Sequence, residues 1–149
     1  MRLLFVIDNL GSGGAQRQMT NLSIELTRRG HRVDLFVYSA ADHFAAQLRD
    51  AGVRILLHPK PSKFSWAPIR KLRKLFRSGE YDLALSFMTT PNFYCLTAAM
   101  GLSTKPRMVI SERFCPWSGW NGVRQRLIER LYPRADHITV NSHHMREHY

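Results

Sequence analysis

The sequence predicts an α/β fold built on a doubly wound parallel sheet of about six strands. Apolar, strand-like runs alternate strictly with helix-spaced segments along the chain, which is the order expected for parallel strands joined by crossover helices. The apolar runs are continuous instead of alternating with polar residues, which indicates strands covered by helices on both faces. A glycine-rich loop after the first run completes the pattern of a Rossmann-like domain.

The elements follow in order along the chain. Six apolar runs are the predicted strands: Leu3–Asp8, Val33–Tyr38, Val53–Leu57, Leu83–Met88, Met108–Ser111 and Ile138–Asn141. Helical spacing predicts five helices between them: Gly14–Arg29, Asp42–Ala51, Pro68–Ser78, Pro91–Met100 and Asn121–Tyr132. Gly30, Gly52 and Gly101 fall just past helix ends, where a left-handed residue is commonly required.

The loop Asn9–Ala15 joins the first strand to the first helix and contains three glycines. Such a loop lets the backbone approach a phosphate and points the free N–H groups of the helix at it. Gln16 stands where a dinucleotide fingerprint has its third glycine, which disfavours a nicotinamide site. The alternative is a turn that only packs helix on sheet. The candidate diphosphate-binding residues are Gly11, Gly13, Gly14 and Arg17.

The formal net charge of +11 is the compositional outlier and predicts an anionic partner. Nucleic acid, acidic lipid and a phosphorylated small molecule all fit that description. The sequence contains no nucleic-acid signature such as an aromatic-bearing RNA motif or a basic zipper, so we do not expect nucleic acid in the leading interpretation. Between Lys60 and Arg77 there are seven basic residues and no acid.

The predicted helix Pro68–Ser78 is amphipathic, with one apolar and one basic side. Such a helix can lie in a membrane interface with its apolar side down and its cations on anionic lipid. The alternative is an ordinary crossover helix with a solvated basic side. The candidate membrane or polyanion contacts are Arg70, Lys71, Arg73, Lys74, Arg77 and Trp66.

The cellular compartment is predicted from the apolar runs and the cysteines of the sequence. No apolar run approaches the roughly 18 residues of a spanning helix, and no secretory signal is recognisable. Cys95 and Cys115 are therefore predicted to be free thiols in the cytoplasm. His144–His148 matches the H-x-x-E-H zinc signature, but we interpret the match as chance and expect no metal.

Several short motifs resemble, in the right order, the N-terminal part of family 4 glycosyltransferases. They are Gly13-Gly14-Ala15-Gln16-Arg17, Arg28-Arg29-Gly30-His31, Ser86–Thr90, Ser111-Glu112-Arg113, Ala135-Asp136 and Val140-Asn141-Ser142. The family's usual opening is Gly-Gly-Ala-Glu-Arg, so Gln16 is a departure. The resemblance runs along the whole chain.

The resemblance implies the N-terminal, acceptor-side half of a GT-B architecture, with residues 1–149 forming one Rossmann-like domain. The donor-binding C-terminal domain is absent from this chain, so the resemblance implies that the chain alone is inactive. The implied reaction moves a sugar from a nucleotide-sugar to a carbohydrate or lipid-linked acceptor, with retention and without a metal or other cofactor. Peripheral attachment at the inner face of the cell membrane is also implied.

The resemblance places acceptor contacts at the ends of the fourth and fifth strands. The residues are Thr89, Thr90, Asn92, Glu112 and Arg113. Arg113 fits a phosphate equally well, because its guanidinium is a planar fork. The alternatives are a surface Glu–Arg pair for residues 112–113 and helix capping for Thr89 and Thr90.

A second class of function stays open: a non-catalytic basic α/β module that binds anionic membrane or nucleic acid. The chain stops at Tyr149, inside a segment that reads as a new helix, so we expect it to be part of a longer protein.

Overall fold

The computed structural model describes residues 1–62, 65–113 and 120–143, apart from the side chains of residues 120 and 121. Within this part of the chain one sheet of six parallel strands runs in the order β3-β2-β1-β4-β5-β6. The strands are β1 (Arg2–Ile7), β2 (Arg32–Val37), β3 (Arg54–Leu57), β4 (Leu83–Phe87), β5 (Arg107–Glu112) and β6 (His137–Val140). The predicted α/β, doubly wound class is confirmed.

Helices cover both faces of the sheet. They are α1 (Gly14–Arg28), α2 (Ala45–Asp50), α3 (Ala67–Arg77), α4 (Thr89–Ala99) and α5 (Trp120–Glu129), followed by a 3₁₀ turn at Tyr132–Arg134. In β1 the odd-numbered side chains pack with α1 and α2, and the even-numbered ones pack with α3 and α4. This period of two explains the continuous apolar runs, because both faces of each central strand are buried.

The strand order places the topological switch point between β1 and β4. The chain leaves β1 toward α1 on one face of the sheet, whereas it leaves β4 toward α4 on the other face. A crevice therefore opens above the carboxyl ends of these two strands, where ligands bind in folds of this kind. The loop Asn9–Ala15 lies at this crevice, as the sequence predicts.

The start of one helix differs from the prediction, and the difference has a physical cause. Helix α4 begins at Thr89 instead of Pro91, because Met88 adopts a left-handed φ of 76° and turns the chain into the helix two residues earlier. Pro91 is then the third helical residue, where no intrahelical N–H bond is lost. Gly30, Gly52 and Gly101 do have positive φ, as predicted.

Some sequence predictions fall outside the described residues: those on Lys63, Cys115 and the His144–His148 motif. Cys95 is free and fully buried, and burial raises the pKa of its thiol to about 12, which makes it an unreactive core residue. Among the helices that the structure describes, none has the length and apolar character needed to cross a bilayer.

Candidate functional site

The loop between β1 and α1 leaves the start of the helix open. The Asp8 carboxylate accepts hydrogen bonds from the Asn9 N–H (2.8 Å) and from Gln16 Nε2 (3.1 Å). Gln16, the departure from the usual glutamate, thus serves as a donor to Asp8. Gly13 is the N-cap residue of α1, and no described side chain caps the helix there. The N-terminal amides of α1 are therefore available to an anion.

The four predicted diphosphate-binding residues differ in accessibility. Gly13, Gly14 and Arg17 are exposed, and a Cβ placed on Gly14 would meet no atom within 4 Å. The Gly11 N–H is already used, because it donates to Asn9 Oδ1 at 2.8 Å. Gly11 shapes the loop, and its amide is not free for a phosphate as the structure stands.

The two threonines that open α4 use their hydroxyls in tertiary contacts and do not cap the helix. Thr89 Oγ1 donates to Glu112 Oε2 at 3.1 Å, and Thr90 Oγ1 accepts a long bond of 3.4 Å from Arg124 Nη2. The left-handed Met88 is what directs this first turn toward β5 and α5. Both threonines are half-buried at the crevice.

Glu112 and Asn92 lie in the interior beneath the crevice. Glu112 accepts bonds from the Arg113 N–H (3.0 Å), Thr89 and the Tyr132 hydroxyl, with Gln125 at 3.4 Å. Asn92 accepts from Ser86 Oγ (2.7 Å) and donates to the Ser111 carbonyl (3.2 Å). Both side chains are wholly buried, so this geometry does not present them to an acceptor. They hold β4, β5, α4 and α5 together at the edge of the site.

Arg113 is a cation fixed in place, with no counter-ion among the described residues. Its guanidinium carbon lies 3.9 Å from the centroid of the Phe87 ring, and its Nε donates to Ser111 Oγ at 3.1 Å. No carboxylate in the described part of the chain forms an ion pair with it, so the surface Glu–Arg pair is not observed. Burial lowers the pKa of Arg113, but a guanidinium stays protonated at neutral pH.

The structure excludes one form of the predicted membrane contact, in which the apolar side of α3 enters lipid. That side, with Ile69, Leu72 and Phe76, is buried against the sheet in the same core as α4, so this side is not available for insertion into lipid. Arg73 is also not free, because its Nη1 donates to the carbonyls of Ala98 (3.0 Å) and Met100 (2.6 Å) at the end of α4.

The basic side of α3 is nevertheless exposed. Arg70, Lys71, Lys74 and Arg77 face solvent, and Trp66 just before the helix is 64% exposed. These cations form no ion pair with any carboxylate that the structure describes. A polyanion or an anionic surface can therefore reach them.

Sequence reasoning missed two residues of the site, Gln125 and Tyr132. They lie seven positions apart, on the same side of the α5 region as the buried Ile128. That spacing was visible in the sequence, but nothing in it indicated that a carboxylate 13 to 20 residues earlier would meet these two side chains.

A parallel sheet with helices on both faces and an open helix N-terminus at its switch point defines this protein as a Rossmann-like α/β domain. A glycosyltransferase from Rickettsia africae shares the fold with a TM-score of 0.69 at 11% identity, over 99% of this chain and 38% of that one. The profile of Glycosyltransferase Family 4 matches residues 12–149. The chain belongs to glycosyltransferase family 4, to the N-terminal domain of its GT-B architecture.

Two curated relatives come from Campylobacter jejuni. One, an N-acetylgalactosamine-N,N'-diacetylbacillosaminyl-diphospho-undecaprenol 4-alpha-N-acetylgalactosaminyltransferase, is 32% identical over 95% of this chain and 41% of its own length. The other is an alpha-1,4-N-acetyl-D-galactosaminyltransferase that acts on a diphospho-undecaprenol-linked glycan. It is 30% identical over 75% of this chain and 32% of its own length. The chain thus spans about a third to two fifths of these relatives.

Proposed function

We propose that this chain is the acceptor-side domain of an enzyme that transfers a sugar from a nucleotide-sugar to a lipid-linked glycan acceptor, with retention at the transferred carbon. The observation that carries the proposal is Arg113, which has no ion pair in the described part of the chain and is fixed on the same face of the sheet as the open N-terminus of α1. Two sources of positive potential on one face favour the departure of a nucleoside diphosphate. The lipid-linked acceptor is suggested by the names of both curated relatives.

The proposed reaction asks three things of this chain. The amides at Gly13 and Gly14, with Arg17 and Arg113, bind the donor diphosphate as negative charge develops on it. The Thr89–Thr90 turn borders the acceptor, while Glu112 and Asn92 position that turn and β5 from below. A second domain supplies the remaining donor contacts, so the isolated chain would not turn over. We expect neither a metal nor another cofactor.

A substitution at Gly14 tests the diphosphate contact. Gly14→Val in the full-length enzyme is expected to lower kcat/KM for transfer by about a hundredfold, because the added branches occupy the space a phosphate would use. The fold has room for the side chain, since a Cβ there meets nothing within 4 Å, so the Tm should stay within about 2 °C, or rise because a glycine is replaced within a helix. Steady-state transfer kinetics and thermal unfolding measure the two effects.

The matched control is Gly14→Ala, which adds only the Cβ and should give a smaller loss of transfer with the same Tm. If kcat/KM for transfer by Gly14→Val stays within twofold of the wild-type value, the loop Asn9–Ala15 does not contact the donor.

We further propose that the basic side of α3 holds the protein on anionic lipid. Reversal of Arg70, Lys71, Lys74 and Arg77 to glutamate is expected to weaken binding to phosphatidylglycerol-containing vesicles by at least about a hundredfold, since each cation near the surface contributes about 1 kcal/mol. Arg73 is left intact because it stabilises the end of α4. Vesicle sedimentation over a salt series measures the change.

The matched control reverses four exposed arginines outside this helix, Arg28, Arg49, Arg107 and Arg134, so that the net charge changes equally. Equal loss of binding in both variants would show that net charge acts without a defined lipid-binding face. If the α3 variant sediments with the vesicles as fully as the wild type does, the proposed membrane contact is wrong.

A further inference from the structure

A second polar cluster lies at the crevice, on the opposite face of the sheet from Arg113. Tyr38 follows β2, and its ring makes an edge contact with the Tyr94 ring of α4 at 5.2 Å between centroids. Lys60 Nζ lies 5.3 Å from the centroid of the same Tyr38 ring. Arg124 reaches the cluster from α5 through its bond to Thr90. Four separate segments of the chain therefore meet here.

The Tyr38 hydroxyl is the unusual group in this cluster. The residue is only 2% exposed, and its hydroxyl finds no hydrogen-bond partner in the part of the chain that the structure describes. Leaving a buried hydroxyl unpaired is costly, and most buried tyrosines are paired. Burial, with the nearby Asp8 carboxylate, raises the pKa of Tyr38 far above its usual value, so the group keeps its proton and remains a donor.

A side chain close to the Tyr38 hydroxyl, that of Arg124, can move. Arg124 is exposed, and its bond to Thr90 is long at 3.4 Å. If the Arg124 side chain swings aside, a ligand in the crevice reaches the Tyr38 hydroxyl. A hydroxyl or acetamido oxygen of that ligand would then satisfy the unpaired phenol.

The charges around the cluster identify the kind of ligand. Asp8 offers a hydrogen-bond acceptor, Arg124 offers donors, and Tyr38, Tyr94 and Thr90 offer hydroxyls beside aromatic rings. The hydroxyls of an uncharged sugar need both donors and acceptors, and this cluster offers both. The chemistry therefore fits a neutral pyranose.

We propose that Tyr38, Tyr94 and Arg124 form a subsite for a neutral sugar residue of the acceptor, in which the unpaired Tyr38 hydroxyl hydrogen-bonds the sugar. This rests on the proposed glycosyl transfer and deepens it, because it separates the two substrates by face. The donor diphosphate lies on the α1 face, and the acceptor sugar lies on the face of α3 and α4.

Tyr38→Phe tests the subsite because it removes only the unpaired hydroxyl. We would titrate the full-length enzyme, without donor, with p-nitrophenyl glycosides of glucose, galactose, N-acetylglucosamine and N-acetylgalactosamine. At least one is expected to bind, and Tyr38→Phe should weaken that binding about fivefold to tenfold, the effect of losing one neutral hydrogen bond. The Tm should stay unchanged or rise, since the substitution removes no hydrogen bond that the structure describes.

Two controls separate this outcome from a structural effect. Thr97→Val removes another buried, unpaired hydroxyl away from the crevice and should leave glycoside binding unchanged. Tyr81→Phe removes a phenol that is bonded to Asp34 at the other end of the sheet, so it should lower the Tm without changing glycoside binding.

The subsite is overturned if none of the four glycosides binds, if Tyr38→Phe binds as tightly as the wild type, or if inorganic pyrophosphate displaces the glycoside. Nucleotide-sugar transfer is measured separately on the same preparations. Transfer without glycoside binding at Tyr38 would reject the subsite alone, whereas absence of transfer with every acceptor would reject the proposed function.

Discussion

Replacing Asp34 with alanine is expected to lower the free energy of unfolding by about 2–4 kcal/mol. Asp34 is buried in β2, where it accepts bonds from Arg54 Nε (2.9 Å), from Arg54 Nη2 and from the Tyr81 hydroxyl (2.6 Å). Its removal leaves the buried Tyr81 hydroxyl without this partner. The Arg54 side chain is 51% exposed, which keeps the loss below that of a wholly buried pair. Urea unfolding measures this loss of stability, provided that the variant and the wild type have the same m-value.

The control is Glu25→Ala, which breaks the exposed Glu25–Arg29 pair of α1 (2.8 Å) and should cost less than about 1 kcal/mol. If Asp34→Ala also lowers the free energy of unfolding by less than about 1 kcal/mol, this network does not stabilise the fold as proposed.

The same network predicts how the difference in free energy of unfolding between the wild type and Asp34→Ala depends on pH. Burial alone would raise the pKa of Asp34, but the hydrogen bonds from Arg54 and Tyr81 and the charge of Arg54 hold it below its ordinary value. A carboxyl with a lowered native pKa contributes stability that is present above its unfolded value of about 4 and is lost as the pH falls through its native value. The gap between wild type and Asp34→Ala should therefore narrow below about pH 4.

Replacing Arg113 with glutamine is expected to lower kcat/KM for sugar transfer by about a hundredfold, the usual effect of removing one preorganised group that stabilises transition-state charge. Arg113 is held by the Phe87 ring and by Ser111 Oγ, so little reorganisation is needed when charge develops on a diphosphate. Transfer kinetics and inhibition by the nucleoside diphosphate product measure the effect, and that product should bind more weakly.

Two further variants make this result specific. Arg113→Lys keeps the charge but loses the planar contact with Phe87, and should recover part of the activity. Arg49→Gln removes an exposed arginine from α2 and should have no effect. A decrease of less than threefold for Arg113→Gln, or unchanged product inhibition, would place the diphosphate elsewhere.

Much of the fold was predictable because it depends on local patterns. The apolar runs predicted all six strands to within about two residues, since each central strand is buried on both faces and has to be apolar throughout. Gly30, Gly52 and Gly101 marked helix ends, because a left-handed residue there strains any side chain with a Cβ. The loop Asn9–Ala15 was placed at the switch point by connectivity alone.

The site was less predictable, since its details depend on residues distant in sequence. Asn92 and Glu112 look like ligand-binding polar residues in the sequence, but partners on neighbouring elements draw both into the interior. The amphipathic pattern of α3 did not reveal whether its apolar side contacts lipid or the sheet, because both environments favour apolar side chains. The left-handed conformation of Met88 had no sequence signal.

The sequence by itself determined the order of strands and helices, the parallel sheet and the position of the glycine-rich loop, because periodicity and backbone preferences act over a few residues. Only the tertiary structure decided where the side chains near the crevice lie: Arg113 against Phe87 on one face of the sheet, the Tyr38 hydroxyl without a described partner on the other, and Glu112 buried below. Those positions depend on contacts between β2, β5, α4 and α5, which lie far apart in the sequence and meet only when the sheet assembles.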